Sequence, residues 1–370
     1  MAQHFLASAK FRDLKTNEID NLSEKEAHQY LANIRWGCNG QQICPACGLI
    51  DNHYWRKHRQ HWRCKNNGCE KEFSATQGTP LHGHKLTIKT ILKAIFLYAT
   101  EMKGCSALAL SRRISVSTKT AWVLIFKIRE SFYFNQDKTL LKGVIQGDGA
   151  YFCGKRRDAN KRGYNRPERL IGVQGAVYQA YGAAPSGRQR RAKQFVPGGK
   201  ANAQRRKNRR VVLVLRELSG NAGEGAMKTR VIIAKREHES EALPFIMKNV
   251  EFGSMIMTDE NAAYNQLSSR YIHKTVQHSL EYQTDDGINN NQAESFNSRM
   301  RRAEYGVYHG FRNKYLMFYA CEMTWLEDFR RNTLRERFNQ IVEYLTQSRL
   351  SQYFRGYWQG YHLDTEIIGP

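Results

Sequence analysis

The chain has 370 residues and a formal net charge of +24. This length suggests two or three domains and suffices for a sizeable core. The basic surplus favours a polyanionic partner, because lysines and arginines that neutralise phosphates release counterions. No stretch approaches the roughly 18 apolar residues of a membrane-spanning helix, and the start has no secretory signal. We therefore expect a cytoplasmic protein with no membrane partner.

Residues 1–40 are predicted to form a helical lead-in without chemistry of its own. Ser23 followed three residues later by Glu26 predicts a capped helix start. The helix would run to about Ile34.

Residues 41–80 contain two cysteine pairs, and these predict a zinc ribbon. Cys44 and Cys47 form a tight C-x2-C pair, and Cys64 and Cys69 form a looser C-x4-C pair. Together they supply the four thiolates of a tetrahedral structural Zn²⁺ site, which would provide the folding energy of so small a module. The alternatives are four unrelated cysteines, or replacement of one thiolate by one of several neighbours: Cys38, His53, His58 or His61.

Residues 84–135 are predicted to be helical and to contain a helix-turn-helix-like DNA-binding region. A short helix over 106–113 and a turn over 114–116 precede a longer helix that ends near Phe132. Helix pairs of this kind are also common without a DNA role. If this pair enters a major groove, the residues nearest the bases are Ser117, Thr118, Lys119 and Thr120.

Residues 140–332 show the element order strand, strand, strand, helix, strand, helix, which is that of a ribonuclease-H-like sheet. The apolar runs around 144–148, 211–215, 230–234 and 255–259 are typical of strands buried on both faces. The predicted class is thus α/β, with a zinc ribbon and a helical region preceding the ribonuclease-H-like domain. A C-terminal helical tail would occupy 333–370.

A basic segment over residues 155–210 interrupts this domain. Its Lys and Arg clusters are interspersed with Gly, Pro and Ala, which favours a long insertion that clamps a phosphate backbone. A solvated, disordered loop is the alternative.

Three acids in this domain predict a metal site. Asp148 and Asp259 lie on predicted strands, and Glu294 lies on the polar face of a predicted later helix. Two-metal phosphoryl transfer requires such a set of carboxylates. Arg301, two turns after Glu294, would hold a phosphate nearby, or is simply a solvated residue. Asp285 and Asp286 are rivals for the third acid, but turn chemistry explains their Gly/Asn-rich loop better.

Several motifs together resemble one family. They are Cys-Pro-Ala-Cys-Gly, Gly-Asp-Gly-Ala-Tyr-Phe-Cys-Gly-Lys, Thr-Asp-Glu-Asn-Ala-Ala-Tyr and Asn-Gln-Ala-Glu-Ser-Phe-Asn. From about Arg35 to Arg331 the chain resembles bacterial insertion-sequence DDE transposases of the ISXO-like group, which carry an N-terminal zinc ribbon. The second cysteine pair is spaced more widely than is usual in the family.

The resemblance implies a ribonuclease-H-like catalytic domain whose acids are Asp148, Asp259 and Glu294. Some branches use an asparagine as the third group, which makes Asn291 the second candidate. The implied function is recognition of terminal repeats, followed by strand cleavage and strand transfer with Mg²⁺ or Mn²⁺. The expected partner is the double-stranded DNA of the transposon ends and of the target. We also expect the protein to form a homo-oligomer on DNA and to be associated with the bacterial nucleoid.

Two other functions fit the same features. A sequence-specific DNA-binding regulator, or an inactive transposase remnant, would share the ribbon, the helices and the charge but would not need the three acids. A nuclease of the same fold without strand transfer would share the acids as well.

Overall fold

The computed structural model describes residues 5–37, 40–153, 208–221, 223–276 and 289–369. Most of the predicted basic insertion, the rival acids Asp285 and Asp286, and Cys38 lie outside these residues. Within the described residues, no helix is long and apolar enough to cross a membrane. The architecture is mixed α/β, as predicted.

The chain begins with helices α1 (Thr16–Asp20) and α2 (Glu24–Trp36). The predicted cap of α2 is confirmed: Ser23 Oγ accepts a hydrogen bond from the Glu26 N–H, and the Glu26 carboxylate accepts one from the Ser23 N–H at 2.7 Å. These reciprocal bonds satisfy amides that the first helical turn leaves unpaired.

Two small antiparallel sheets follow α2. The first pairs β1 (Gln42–Ile43) with β2 (Ile50–Asp51), and the second contains β3 (Tyr54–Arg56), β4 (His61–Arg63) and β5 (Glu72–Phe73). Trp62 on β4 is buried and meets Trp36 of α2 edge to face, with ring centroids 5.9 Å apart. The small sheets and α2 therefore share one apolar core.

The next helices form a layer that contains α3 (Ile88–Thr100), α4 (Ala107–Arg113) and α5 (Thr118–Phe134). From Ala121 onward most of α5 is buried, because α4 and two later helices, α8 (Leu316–Asp328) and α9 (Leu334–Gln347), pack against it. Helix α9 also packs against α2 and α3.

The central sheet has five strands: β6 (Val144–Cys153), β7 (Arg209–Leu218), β8 (Ala226–Ala234), β9 (Met255–Asp259) and β10 (Ile272–Val276). Their order across the sheet is β10, β9, β6, β7, β8. Antiparallel neighbours β6, β7 and β8 form one half, whereas β9 and β10 run parallel to β6.

Helices cover both faces of this sheet. Helix α6 (Glu239–Asn249) and a 3-10 helix (Ala262–Ser269) enclose one apolar cluster with the sheet. Helix α7 (Asn291–Gly306) and α8 bury the other face, in a cluster that continues into α2, α3 and the small sheets. An apolar stripe of α7 faces this cluster, in which Ala293, Phe296 and Met300 are fully buried.

A buried ion pair joins α5 to α8. Arg129 Nε donates to Glu322 Oε2 at 3.0 Å, and both side chains are almost completely buried. The hydroxyls of Tyr98 and Tyr308 also donate to Glu322, at 2.5 and 2.7 Å. Helices α3, α5 and α8 and the segment that follows residue 306 thus meet at one carboxylate, whose charge is compensated by a guanidinium and two hydroxyls.

We predict that Glu322→Gln lowers the free energy of unfolding by roughly 3–5 kcal/mol, because it leaves the Arg129 charge buried without a counterion. Chemical denaturation followed by circular dichroism measures the change. The control is Glu101→Gln, which removes the exposed pair with Arg113 and should cost less than about 1 kcal/mol. Equal effects of the two substitutions would contradict this account.

Candidate active site and zinc centre

The four predicted zinc ligands lie together. Cys44 Sγ is 3.7 Å from Cys69 Sγ, and Cys47 Sγ is 3.6 Å from Cys64 Sγ. A tetrahedral ion with Zn–S bonds of about 2.3 Å separates its ligand sulfurs by about 3.8 Å. The four thiolates therefore fit a structural Zn²⁺.

The local backbone brings the first cysteine pair together. Gly48, with φ of 75°, turns the chain after Cys47 so that its N–H donates to the Cys44 carbonyl at 2.9 Å. Among the described residues, the metal-binding group contains the four cysteines and no histidine. His53, a predicted alternative, contacts the backbone at Leu49 and Lys65 instead.

The register of the central sheet brings Asp148 and Asp259 to the same height. The parallel strands β6 and β9 pair as far as Gln146 and Met257, and each aspartate follows two positions later. Side chains two positions apart on a strand share a face, so both aspartates point to the side of the sheet that carries α7.

A third carboxylate, which the sequence analysis did not single out, completes a close group. Oxygens of Asp148, Asp259 and Glu237 all lie within 4.8 Å of one another. Glu237 lies between β8 and α6, and Tyr264 donates its hydroxyl to Glu237 Oε1 at 2.9 Å. In the sequence, Glu237 belongs to a short charged run (Lys-Arg-Glu-His) that is typical of a solvated loop.

Helix α7 is fixed over Asp148 by buried side chains of the sheet. Gln146 Oε1 accepts from the Gln292 N–H at 2.7 Å, and Arg216 donates to the Gln292 carbonyl at 2.9 Å. One turn further along the helix, the buried Asn297 donates through Nδ2 to Asp148 Oδ2 at 2.7 Å. This asparagine, which was not predicted from the sequence, orients the carboxylate directly.

The remaining predicted site residues line a cleft of about 590 Å³ beside Asp148. Glu294 is half-buried on its wall, but it does not belong to the close group of three carboxylates. Asn291 lines the cleft at the start of α7, and the exposed Arg301 lines it two turns further on. The cleft thus combines acidic groups with a basic edge.

Burial and mutual repulsion disfavour the ionised forms of two acids. Burial, opposed in part by the Asn297 hydrogen bond and reinforced by the charges of Asp259 and Glu294, raises the pKa of Asp148 to about 6. Burial, with the charges of Asp259 and Asp148, raises the pKa of Glu237 to about 7. A divalent cation would relieve this repulsion, so the oxygen donors fit Mg²⁺ or Mn²⁺.

The four predicted DNA-contacting residues lie at the start of α5. Ser117 Oγ caps the helix by accepting from the Thr120 N–H at 3.1 Å. Thr118 and Lys119 are exposed, and Lys119 Nζ lies 4.3 Å from the ring centroid of Trp358. Because the rest of α5 is mainly buried, this first turn is the part that offers a contact surface.

Comparison with protein families gives two matches. The model of the ISXO2-like transposase domain matches residues 140–328, just over half of the chain. The model of the transposase zinc-ribbon domain matches residues 22–72, a range that includes α2. No curated protein and no solved structure matches the chain.

We predict that Cys64→Ser abolishes stoichiometric zinc binding, because three thiolates leave the tetrahedral site incomplete. Atomic emission spectroscopy of the purified protein measures its zinc content. Cys105→Ala is the control: Cys105 is buried outside the cluster, and zinc should persist. Zinc retention in the Cys64 variant would show that this cysteine is not a ligand.

Asp148→Asn is expected to stabilise the protein in the absence of divalent metal. The pKa of this carboxyl is raised from an ordinary value near 3.9 to about 6. The folded state therefore binds the proton more tightly, and stability is lost as pH rises between these values. The substitution should raise the free energy of unfolding by roughly 1–3 kcal/mol at pH 8, and this increase should be about 1 kcal/mol smaller at pH 5.

Urea denaturation of zinc-loaded, magnesium-free protein at both pH values measures this gain. Asp364→Asn, at an exposed position, provides the control and should change little. A gain that does not vary with pH would refute the electrostatic explanation.

Proposed function

The chain belongs to the ISXO2-like transposases, and we propose that it is a DDE-type insertion-sequence transposase that binds the terminal repeats of its element, cleaves DNA and transfers the strands. The observation that carries the proposal is the meeting of Asp148 and Asp259 beside a cleft that Glu294 also lines. A DNA-binding regulator or inactive remnant has no need of such a carboxylate centre.

We further propose that residues 140–332 form a ribonuclease-H-like domain. The strand order, with three antiparallel strands followed by two strands parallel to the first, supports this assignment. The proposed division of the remaining chain follows the sequence analysis: lead-in 1–40, ribbon 41–80, helix-turn-helix-like region 84–135 and tail 333–370.

In the proposed mechanism, Asp148, Asp259 and Glu294 hold the divalent metal, with Asn291 as the second candidate for the third ligand. Mg²⁺ or Mn²⁺ ions supply activation of the attacking oxygen and charge stabilisation of the leaving oxygen when bound. Asn297 keeps the Asp148 carboxylate oriented through its hydrogen bond of 2.7 Å. Arg301, on the cleft wall, contacts a phosphate next to the scissile bond.

The proposed DNA surface combines the zinc ribbon with the first turn of α5. Thr118 and Lys119 are exposed, and Ser117 and Thr120 lie in the same turn. Phosphate contacts from basic residues position a protein on DNA, whereas contacts to base edges specify the sequence. Because transposition joins two ends to a target, the protein would act as a homo-oligomer on DNA.

Asp259→Asn should reduce transposition to the background of a protein-free control, because metal binding fails while the fold persists. The assay follows a marker flanked by the terminal repeats of the protein's own element, alongside end binding by gel shift and zinc content. Asp364→Asn is the matched control at an exposed site and should transpose normally.

Normal transposition by the Asp259 variant would refute the catalytic assignment. If the unmodified protein binds ends but does not cut them with either metal, the regulator or remnant function is correct instead. Cleavage without joining would identify a nuclease.

A further inference from the structure

We propose that Glu237 is an additional carboxylate of the catalytic centre and binds the same divalent cation as Asp148 and Asp259. The assignment rests on the proposed transposase function and deepens it, because Glu237 lies outside the three acids predicted from the sequence. Among the described residues, the close group of acids then consists of two strand residues, Asp148 and Asp259, and one residue from the segment between β8 and α6.

The distances within the group suit a single ion. Oxygens of the three carboxylates lie within 4.8 Å of one another. Ligand oxygens of an octahedral Mg²⁺ lie about 2.9 Å apart when adjacent and about 4.1 Å apart when opposite, given Mg–O distances of about 2.0–2.1 Å. Side-chain rotations that move the carboxylate oxygens by on the order of 1–2 Å would therefore bring all three onto one ion.

Glycine at position 149 makes room for Glu237. A Cβ built on Gly149 would lie within 3.0 Å of the Glu237 carboxylate carbon, closer than real Cβ contacts. The carboxylate therefore occupies the volume that any other residue at this position would fill. The pairing of β6 with β9 ends at Gln146, whereas its pairing with β7 continues to Cys153, so Glu237 approaches β6 beyond the last paired residues of β9.

Tyr264 orients the carboxylate without neutralising it. Its hydroxyl donates to Oε1 of Glu237 at 2.9 Å, which leaves Oε2 for a cation. Among the described residues, no lysine or arginine forms a salt bridge with Glu237 or Asp148, although basic residues are abundant in the chain. Carboxylates so close together ordinarily share a cation or a proton.

The test is Mn²⁺ binding to full-length, zinc-loaded protein at pH 8, measured by isothermal titration calorimetry and by electron paramagnetic resonance of free Mn²⁺. Glu237→Gln preserves the side-chain shape and the acceptor for Tyr264 but removes the charge. We expect the Mn²⁺ dissociation constant to rise roughly tenfold or more, a loss of about 1.4 kcal/mol. The matched control, Glu251→Gln at an exposed site, should bind as the unmodified protein does.

A second variant separates a ligand from a merely structural residue. Tyr264→Phe removes the hydrogen bond to Glu237 but keeps the carboxylate, and we expect Mn²⁺ affinity to change by less than roughly threefold. If Tyr264→Phe weakens Mn²⁺ binding as much as Glu237→Gln, the local hydrogen bond explains the effect and the ligand assignment is wrong.

The remaining outcomes distinguish this assignment from the proposed function. If Glu237→Gln binds Mn²⁺ normally while Asp259→Asn does not, Glu237 is not a ligand and the transposase proposal stands. If the unmodified protein binds no Mn²⁺ by either method, both proposals fail.

Discussion

The register between β6 and β9 is the constraint on which the candidate site depends. Parallel pairing as far as Gln146 and Met257 puts Asp148 and Asp259 at one height and on one face. A slip of one residue would turn one of these acids to the opposite face of the sheet. The buried Gln146 links this register to the start of α7, because it accepts a hydrogen bond from the Gln292 N–H. The same strand position therefore aligns two acids and locates the helix that carries Glu294.

The acidic centre contrasts with the net charge of +24 carried by the whole chain. Positive charge attracts a DNA backbone over long distances, but a phosphate next to Asp148 and Asp259 would be repelled unless a cation lies between them. The walls of the cleft reflect this division, since Arg301 and Arg302 line it together with Asp148 and Glu294. In the proposed function, basic residues would thus bring DNA to the site, while the acids would bind the metal beside the scissile phosphate.

Much of this architecture was predictable because it depends on local patterns. Continuous apolar runs identified β6 to β9, and the Ser23 capping box identified the start of α2. The edge strand β10 was missed because three of its five residues, Ile-His-Lys-Thr-Val, are polar and most of the strand is exposed. Glu237 and Asn297 were missed for another reason. In the sequence, Glu237 resembles a charged residue of a solvated loop, and Asn297 resembles an ordinary polar residue of a helix. Their significance comes from a partner on β6, a tertiary contact that spacing along the chain does not encode.

The zinc centre is coupled to the rest of the protein through packing. Trp62 lies between the two cysteine pairs in the sequence and packs against Trp36 of α2, and α2 in turn packs against α3 and α9. One apolar cluster runs from these helices to the sheet face covered by α7. Zinc bound to the four cysteines would therefore hold in place a tryptophan of the same core as the apolar stripe of α7. The ribbon is thus linked, through one continuous apolar cluster, to the helix that carries Glu294 and Asn297.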